Sequence, residues 1–96
     1  MNYRNAKILR AAKDSPCQLC GMDDGTIVAA HSNQQKDGRG AFYKSHDYRV
    51  AYLCYKCHHE IDHGSKMSRE ERRQAWDEGH RATIGWLFDK GRITVI

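Results

Sequence analysis

Residues 54–63 read CYKCHHEIDH and place two thiols, three imidazoles and two carboxylates within ten residues. The stretch opens with one C-x-x-C pair, Cys54 and Cys57, and 33 residues separate it from an earlier pair, Cys17 and Cys20. Two such pairs have the spacing of a structural zinc site with four thiolate ligands. A disulfide or a redox-active pair is the alternative, and a reducing cell interior argues against it. The sequence therefore predicts one Zn²⁺ held by four cysteines, with no coordination position left open for catalysis.

The composition is that of one small globular protein. Its 96 residues are 40% apolar, enough for one modest core that a bound metal would help to stabilise. No segment approaches the roughly 20 apolar residues of a membrane span, and the N-terminal residues contain no apolar signal core. We therefore expect an intracellular protein with no membrane partner and a single domain over residues 1–96. The net charge of +4 and the pI of about 9 favour a polyanionic partner.

Hydrophobic patterning and turn residues predict the elements around the cysteines. In chain order they are a basic helix over 4–13, a strand over 26–31, a polar loop over 32–46, a return strand over 48–53, a helix over 57–63, a long helix over 68–88 and a last strand over 92–96. The glycine after Cys20 allows the tight reversal of the first knuckle, and residues 68–71 have the order of a capping box. The apolar residues of the long helix should face the core, namely Trp76, Ile84, Trp86 and Leu87. A cysteine knuckle, a hairpin and then a C-x-x-C at the start of a helix is the order of a treble clef. The sequence therefore predicts an α+β fold, a small ββα-metal (treble-clef-like) domain with helices at both ends.

The helix predicted over 57–63 carries a second candidate metal site. At about 100° per residue, His58 and Asp62 lie about 40° apart on one face, whereas His63 lies about 140° from His58. One imidazole and one carboxylate suit a Mg²⁺, Mn²⁺ or Zn²⁺ that keeps other positions for water and phosphate. Solvated residues on a helix surface are the alternative.

The hairpin favours the metal site over that alternative. His31 ends the first predicted strand, and the return strand leads into the helix, so the hairpin would place His31 across from His58 and Asp62. An imidazole, with an ordinary pKa of about 6.5, can take a proton from water at neutral pH. A divalent ion opposite it can stabilise the charge that develops on a phosphodiester. These groups together would form a hydrolytic site for a phosphodiester.

The arrangement resembles the HNH, or His-Me finger, nucleases, and most closely the small phage and prophage nucleases grouped as YbcO-like. The resemblance covers nearly the whole chain: the basic first helix, the first knuckle, Ala-His at residues 30–31, Cys-x-x-Cys-His-x-x-Ile-Asp at residues 54–62, and a C-terminal Trp-Leu segment before a Gly. It implies a metal-dependent DNA endonuclease that hydrolyses phosphodiester bonds. Such a protein would act in recombination, repair or DNA processing in the cytoplasm of a bacterial host cell.

The resemblance also implies roles for individual residues. His31 would be the general base, and His58 with Asp62 would hold the catalytic divalent ion. Asp47 falls where the family carries a residue, often Asn, that braces the catalytic loop and orients the base. His46 is the rival for that orienting role.

One departure from the family pattern concerns the metal. Many HNH nucleases carry an Asp or His ligand just before the base, whereas this chain has Ala30. The ion would then have two protein ligands, or a third supplied by His59 or His63, and metal binding would be weak. The alternative functions are a non-catalytic nucleic-acid-binding module stabilised by zinc and a treble-clef protein-interaction domain.

The polar loop over 32–46 supplies a candidate nucleic-acid contact. It carries three cations, Lys36, Arg39 and Lys44, with Phe42 and Tyr43 among them. Cations interleaved with aromatic side chains suit a phosphate backbone and its bases. We therefore expect duplex or branched DNA as the partner, bound by a monomer or by a homodimer.

Overall fold

Two short antiparallel strands and three helices make up the computed structural model, which describes residues 2–96. The elements are α1 (Ala6–Arg10), continued by a 3₁₀ turn (Ala11–Asp14), β1 (Val28–His31), a 3₁₀ turn (Gln35–Asp37), β2 (Val50–Leu53), α2 (Tyr55–Asp62) and α3 (Arg69–Asp89). The predicted α+β class is therefore confirmed. None of the helices formed by these residues is long and apolar enough to cross a membrane.

The hairpin forms the centre of the molecule. β1 and β2 pair with Val28 opposite Leu53 and His31 opposite Val50. All four residues of β2 are buried. One edge of the strand pairs with β1. At the outer edge, the Tyr52 N–H donates to the Thr83 hydroxyl of α3 and the Tyr52 carbonyl accepts from the backbone of the first knuckle, both at 2.9 Å. The outer edge of β2 is therefore satisfied without a third strand.

Helix α3 packs along β2. It begins at the predicted capping box, in which Ser68 and Glu71 each accept a hydrogen bond from the other's backbone N–H. It continues without a break past Gly79 and Gly85. A Cβ added to Gly79 would lie 3.2 Å from Leu53, so the missing side chain allows α3 to approach the strand closely. The residues predicted to face the core are buried or pack against it, namely Trp76, Ile84, Trp86 and Leu87.

The C-terminal segment differs from the prediction. Residues 92–96 do not form a strand, because the outer edge of β2 is already filled and offers them no partner. The backbone N–H groups of Arg92 and Ile93 instead donate to the Leu87 carbonyl, at 2.8 and 3.3 Å, and close the end of α3. The prediction of a strand from the β-branched residues at 92–96 was therefore wrong.

Candidate functional site

The four cysteine sulfurs converge. They lie within 4.8 Å of one another, with 3.7 Å between Sγ of Cys20 and Sγ of Cys54, and all four are free thiols. A tetrahedral zinc with Zn–S bonds of about 2.3 Å requires sulfurs about 3.8 Å apart. The cluster therefore fits a structural Zn²⁺, and the prediction that Cys17, Cys20, Cys54 and Cys57 can hold one metal ion is confirmed.

Local backbone geometry explains this convergence. In the first knuckle, Gly21 adopts a φ of 78° and donates its N–H to the Cys17 carbonyl at 2.9 Å, which reverses the chain. In the second, Cys54 is the extended N-cap residue of α2, so Cys57 follows within the first turn. Each pair therefore presents both of its sulfurs to one point.

The protonation of these thiols is set by burial and by nearby amides. Burial raises the pKa of Cys54 and of Cys57. Burial also acts to raise the pKa of Cys17, but backbone N–H groups, those of Cys20 and Cys54 foremost, lower it to about 7. Because a metal ion takes thiolates, zinc binding at neutral pH must displace protons from Cys54 and Cys57.

His31 and Asp47 form a hydrogen-bonded pair of titratable side chains outside the cysteine cluster. His31 ends β1 and its Nε2 lies 2.8 Å from Oδ1 of Asp47. Asp47 is 3% exposed and also accepts from the Arg4 guanidinium, at 3.0 Å, and from the Asn5 backbone N–H, at 2.6 Å. A buried carboxylate with three donors is rigidly held, so it fixes the orientation of the His31 ring.

The charge of Asp47 decides the tautomer of His31. Burial acts to raise the pKa of Asp47, but hydrogen bonds from His31, Asn5 and Arg4 outweigh it and hold the pKa below its usual value. An ionised carboxylate only accepts hydrogen bonds, so the proton between the two side chains belongs to Nε2 of His31. In neutral His31 the free lone pair is therefore on Nδ1, which has no hydrogen-bond partner within residues 2–96.

An N-terminal segment, residues 2–5, supports this pair, and sequence reasoning missed it. The Asn2 amide donates to the Gly38 and Lys44 carbonyls, at 2.6 and 2.9 Å, and the Arg4 guanidinium donates to carbonyls of the same loop. The Tyr3 N–H donates to Nδ1 of His46 at 3.0 Å. The rival residue His46 thus contacts the N-terminal segment, whereas Asp47 contacts His31.

The second predicted pair lies on α2. Nε2 of His58 is 2.9 Å from Oδ2 of Asp62, and the Asn33 amide, two residues beyond the end of β1, donates to the other Asp62 oxygen at 3.1 Å. The hydrogen bond between His58 and Asp62 raises the pKa of the imidazole and lowers that of the carboxyl. A divalent ion held by both side chains would take the place of the proton that now lies between them, because a ligating imidazole is neutral and a ligating carboxyl is ionised.

A third ligand for such an ion is not in place. Among residues 2–96, the four cysteines are the one group of three or more histidine, cysteine or carboxylate side chains whose ligand atoms converge. His59 stacks on Tyr55, with ring centroids 5.9 Å apart, and the His63 ring lies 5.6 Å from that of His59. Ala30 is buried and offers no ligand. Any further ligands would have to be water or substrate.

The loop between the strands is held in place by hydrogen bonds within the loop. Asp37 is buried and accepts from the Ser32 hydroxyl at 2.5 Å, and its carbonyl accepts from the His46 N–H at 3.1 Å. The three predicted cations are exposed on this loop, namely Lys36, Arg39 and Lys44. Phe42 is 97% exposed beside them. The loop therefore presents cations and an aromatic ring to solvent from a backbone that is held in place.

No family model, curated protein or solved structure matches this chain. A function can therefore be inferred only from the groups described above: the hairpin, the His31–Asp47 pair, the His58–Asp62 pair and the exposed cations.

Proposed function

We propose that the protein is a metal-dependent DNA endonuclease of the HNH (His-Me finger) type, with a ββα-metal, treble-clef-like architecture and a structural zinc. The observation that carries this proposal is the order of the site along the chain. A hairpin strand ends in a histidine paired with a buried carboxylate, and the return strand leads directly into a helix that carries an imidazole–carboxylate pair. A module that only binds nucleic acid needs neither pair.

Contacts across the hairpin support the proposal. Asn33 follows the end of β1 and its side chain reaches Asp62 on α2, so the loop after His31 lies against the helix that carries the second pair. The Trp76 indole N–H donates to the Ala30 carbonyl at 3.0 Å and fixes the end of β1 against α3. These contacts connect the end of β1 to α2 and α3, which supports a reaction between a base on β1 and a phosphate bound at α2.

The proposed mechanism assigns one task to each pair. Nδ1 of neutral His31 takes the proton of the attacking water, and Asp47 stabilises the imidazolium that forms. His58 and Asp62 would hold the divalent ion, which supplies stabilisation of the charge on the phosphate and on the leaving oxygen. Arg4 and Asn5 position Asp47 and do not themselves contact the reacting atoms.

The decisive experiment is a plasmid-nicking assay with Mg²⁺, Mn²⁺, Ni²⁺ or Zn²⁺. We expect His31→Ala to lower nicking by about 10²–10⁴-fold, the usual contribution of a positioned base, while zinc content and DNA binding remain. Asp62→Ala should abolish nicking as well, with partial recovery at raised Mn²⁺. Asp89→Ala, which removes an exposed carboxylate at the end of α3, is the matched control and should nick normally. Nicking that survives in both site variants would show that the reacting groups lie elsewhere.

One observation favours a second candidate function, a non-catalytic DNA-binding module stabilised by zinc. Ala30 stands where many HNH nucleases carry a metal ligand, and within residues 2–96 no third ligand converges on His58 and Asp62. This candidate predicts that the wild-type protein binds DNA but nicks it with none of the four metals.

A further inference from the structure

A groove beside Asp62 is lined by residues that the sites above do not use. It encloses about 460 Å³ and runs from Asp62 along the first two turns of α3. Its polar lining comes from three arginines of α3 and from two amides that follow β1, namely Arg69, Arg72, Arg73, Asn33 and Gln34. Because Asp62 also belongs to the candidate divalent-ion site, the groove and that site share an edge.

The groove is cationic. Three guanidinium groups line it against one carboxylate, and both oxygens of that carboxylate, Asp62, are engaged by His58 and Asn33. A further acid, Asp77, accepts a hydrogen bond from Gln34 of the lining at 3.0 Å. Such a concentration of arginine in a concave surface attracts phosphate.

The arginines of the groove are not equivalent. The Arg72 guanidinium donates to the Gly64 carbonyl and helps to hold the turn between α2 and α3. Arg69 and Arg73 are exposed and have no hydrogen-bond or ion-pair partner within residues 2–96. Their five-donor guanidinium groups are therefore available to a ligand, whereas Arg72 has a structural contact.

Part of the lining of the groove is apolar. It comes from Ile61, Met67 and Trp76, of which Ile61 and Trp76 are buried. The volume lies within the range of about 300–1,000 Å³ of sites that enclose organic ligands, so the groove can take more than an inorganic ion. A sugar against these apolar side chains, with its phosphates at the arginines, matches this set of lining groups.

We propose that this groove binds the sugar–phosphate backbone of the DNA strand next to the phosphodiester that is cleaved, with Arg69 and Arg73 as the phosphate contacts. The placement beside the cleaved bond rests on the proposed function. The groove thereby assigns a direction to the substrate: the bound strand continues from the His58–Asp62 pair along α3.

The test measures affinity for a duplex oligonucleotide at graded salt concentrations by fluorescence anisotropy. Arg69→Gln/Arg73→Gln should weaken binding on the order of 10- to 100-fold near 0.1 M salt and flatten the slope of log affinity against log salt by about 1.8, because each phosphate contact contributes about 0.9. Arg81→Gln/Lys90→Gln removes the same charge from two exposed positions outside the groove, one on α3 and one just after its last residue, and should change the slope far less. An equal loss in both pairs, no loss in either, or a wild-type protein that binds no DNA would overturn the proposal.

A second measurement on the wild-type protein covers the case in which the double variant fails to fold. In an NMR titration with the same duplex, the Nε–H resonances of Arg69 and Arg73 and the side-chain amide of Gln34 should shift, and that of Arg81 should not. Unshifted groove resonances at saturation would overturn the proposal. Nicking is measured separately. If the groove arginines are needed for DNA binding but the wild-type protein does not nick, the proposed nuclease activity is contradicted and the groove proposal stands. If Arg69→Gln/Arg73→Gln nicks normally, only the groove proposal is contradicted.

Discussion

A single hydrogen bond of 2.8 Å joins Nε2 of His31 to Oδ1 of Asp47, sixteen residues further along the chain. It connects the end of β1 to the segment that leads into β2 and to the N-terminal residues Arg4 and Asn5. Because Asp47 is ionised and buried, the bond both orients the imidazole and leaves its Nδ1 as the basic atom. One carboxylate therefore links the stability of the loop to the chemistry proposed for His31.

Replacing Asp47 by Asn tests both consequences. The amide keeps an acceptor near His31 but loses the charge that three donors share. We expect the free energy of unfolding to fall by about 1–3 kcal/mol, the usual cost of weakening buried charge-assisted hydrogen bonds. Nicking should fall by about 10²-fold or more, because the imidazolium is no longer stabilised. Asp23→Asn, at an exposed turn, is the control and should change stability by less than about 0.5 kcal/mol.

The pH dependence of that stability difference follows from the lowered pKa of Asp47. A carboxyl whose pKa is lower in the folded state contributes stability that is fully present above its unfolded pKa, about 3.9, and is lost as the pH falls through the folded pKa. In a His31→Ala background, which removes the imidazole that faces Asp47, the loss of stability caused by Asp47→Asn should therefore be constant from pH 5.5 to pH 8 in denaturant titrations. Both proteins carry the same four cysteines, so the effect of zinc release on the free energy of unfolding is the same in both and does not contribute to the difference. A difference that changes steadily across this range would mean that Asp47 is not ionised throughout.

Zinc removal should unfold the protein. A four-thiolate site supplies about 10–16 kcal/mol of binding energy that becomes folding energy. Strong chelation, or Cys54→Ser at a buried ligand, should therefore abolish the helical circular dichroism signal, and added Zn²⁺ should restore it in the wild type alone. A stable, folded, metal-free protein with four free thiols would contradict this assignment.

Zinc affinity should also rise with pH. Because the metal-free chain is expected to unfold, its cysteines have the ordinary thiol pKa of about 8.5 and are mostly protonated at neutral pH, so each binding event releases at least two protons. Apparent affinity should then increase by about two or more log units per pH unit near neutrality. Calorimetry in buffers of different ionisation enthalpy counts these protons. Fewer than two released protons would show that the site is already ionised before the metal binds.

The parts of the structure that the sequence predicted have local causes. The C-x-x-C spacing, the glycine after the first pair and the capping box at Ser68 each act within a few residues, and all appear where expected. The strands of the hairpin are flanked by turn residues and differ from prediction only at their ends. Where a short segment determines its own geometry, the sequence is sufficient.

The parts of the structure that the sequence did not predict depend on contacts between residues that are far apart along the chain. The contacts of residues 2–5 with the loop near Asp47 join amides and carbonyls some 40 residues apart, and no periodicity marks them. The burial of Asp37 is likewise invisible in a stretch that is polar throughout. At residues 92–96 the β propensity was genuine, but a strand also requires a free edge, which the fold does not offer. In the sequence, no pattern marks the arginines of α3 as a site. They line a groove because the turn after α2 places them beside Asp62.

The two glycines of α3 form a matched pair for packing. A Cβ at Gly79 would lie 3.2 Å from Leu53 and 3.4 Å from Ala51, both fully buried, whereas a Cβ at Gly85 would meet nothing within 4 Å. Gly85→Ala should therefore stabilise the protein by about 0.5–1 kcal/mol through helix propensity. Gly79→Ala gains the same propensity but overpacks the contact with β2, and we expect a net loss of about 1 kcal/mol or more. Denaturant unfolding of both variants checks this, and equal stabilisation would mean that α3 is free to move away from the sheet.

The exposed cations of the loop should contribute to DNA binding independently of the groove. Replacing Lys36, Arg39 and Lys44 by Gln should weaken binding to all duplex sequences and flatten the salt slope by up to about 2.7, because the contacts would be with phosphates. The fold should be unaffected, since the contacts that hold the loop involve the Lys44 carbonyl and not these side chains.

The charge-matched comparison for this loop variant is Arg81→Gln/Lys90→Gln, evaluated per charge removed. A loop contact requires a larger loss per charge in the loop variant than in the helix variant, at the same zinc content. If the two losses are equal, the loop acts only through the net charge of the protein. If the loop variant binds like wild type while Arg69→Gln/Arg73→Gln does not, the DNA lies along α3 and does not reach the loop.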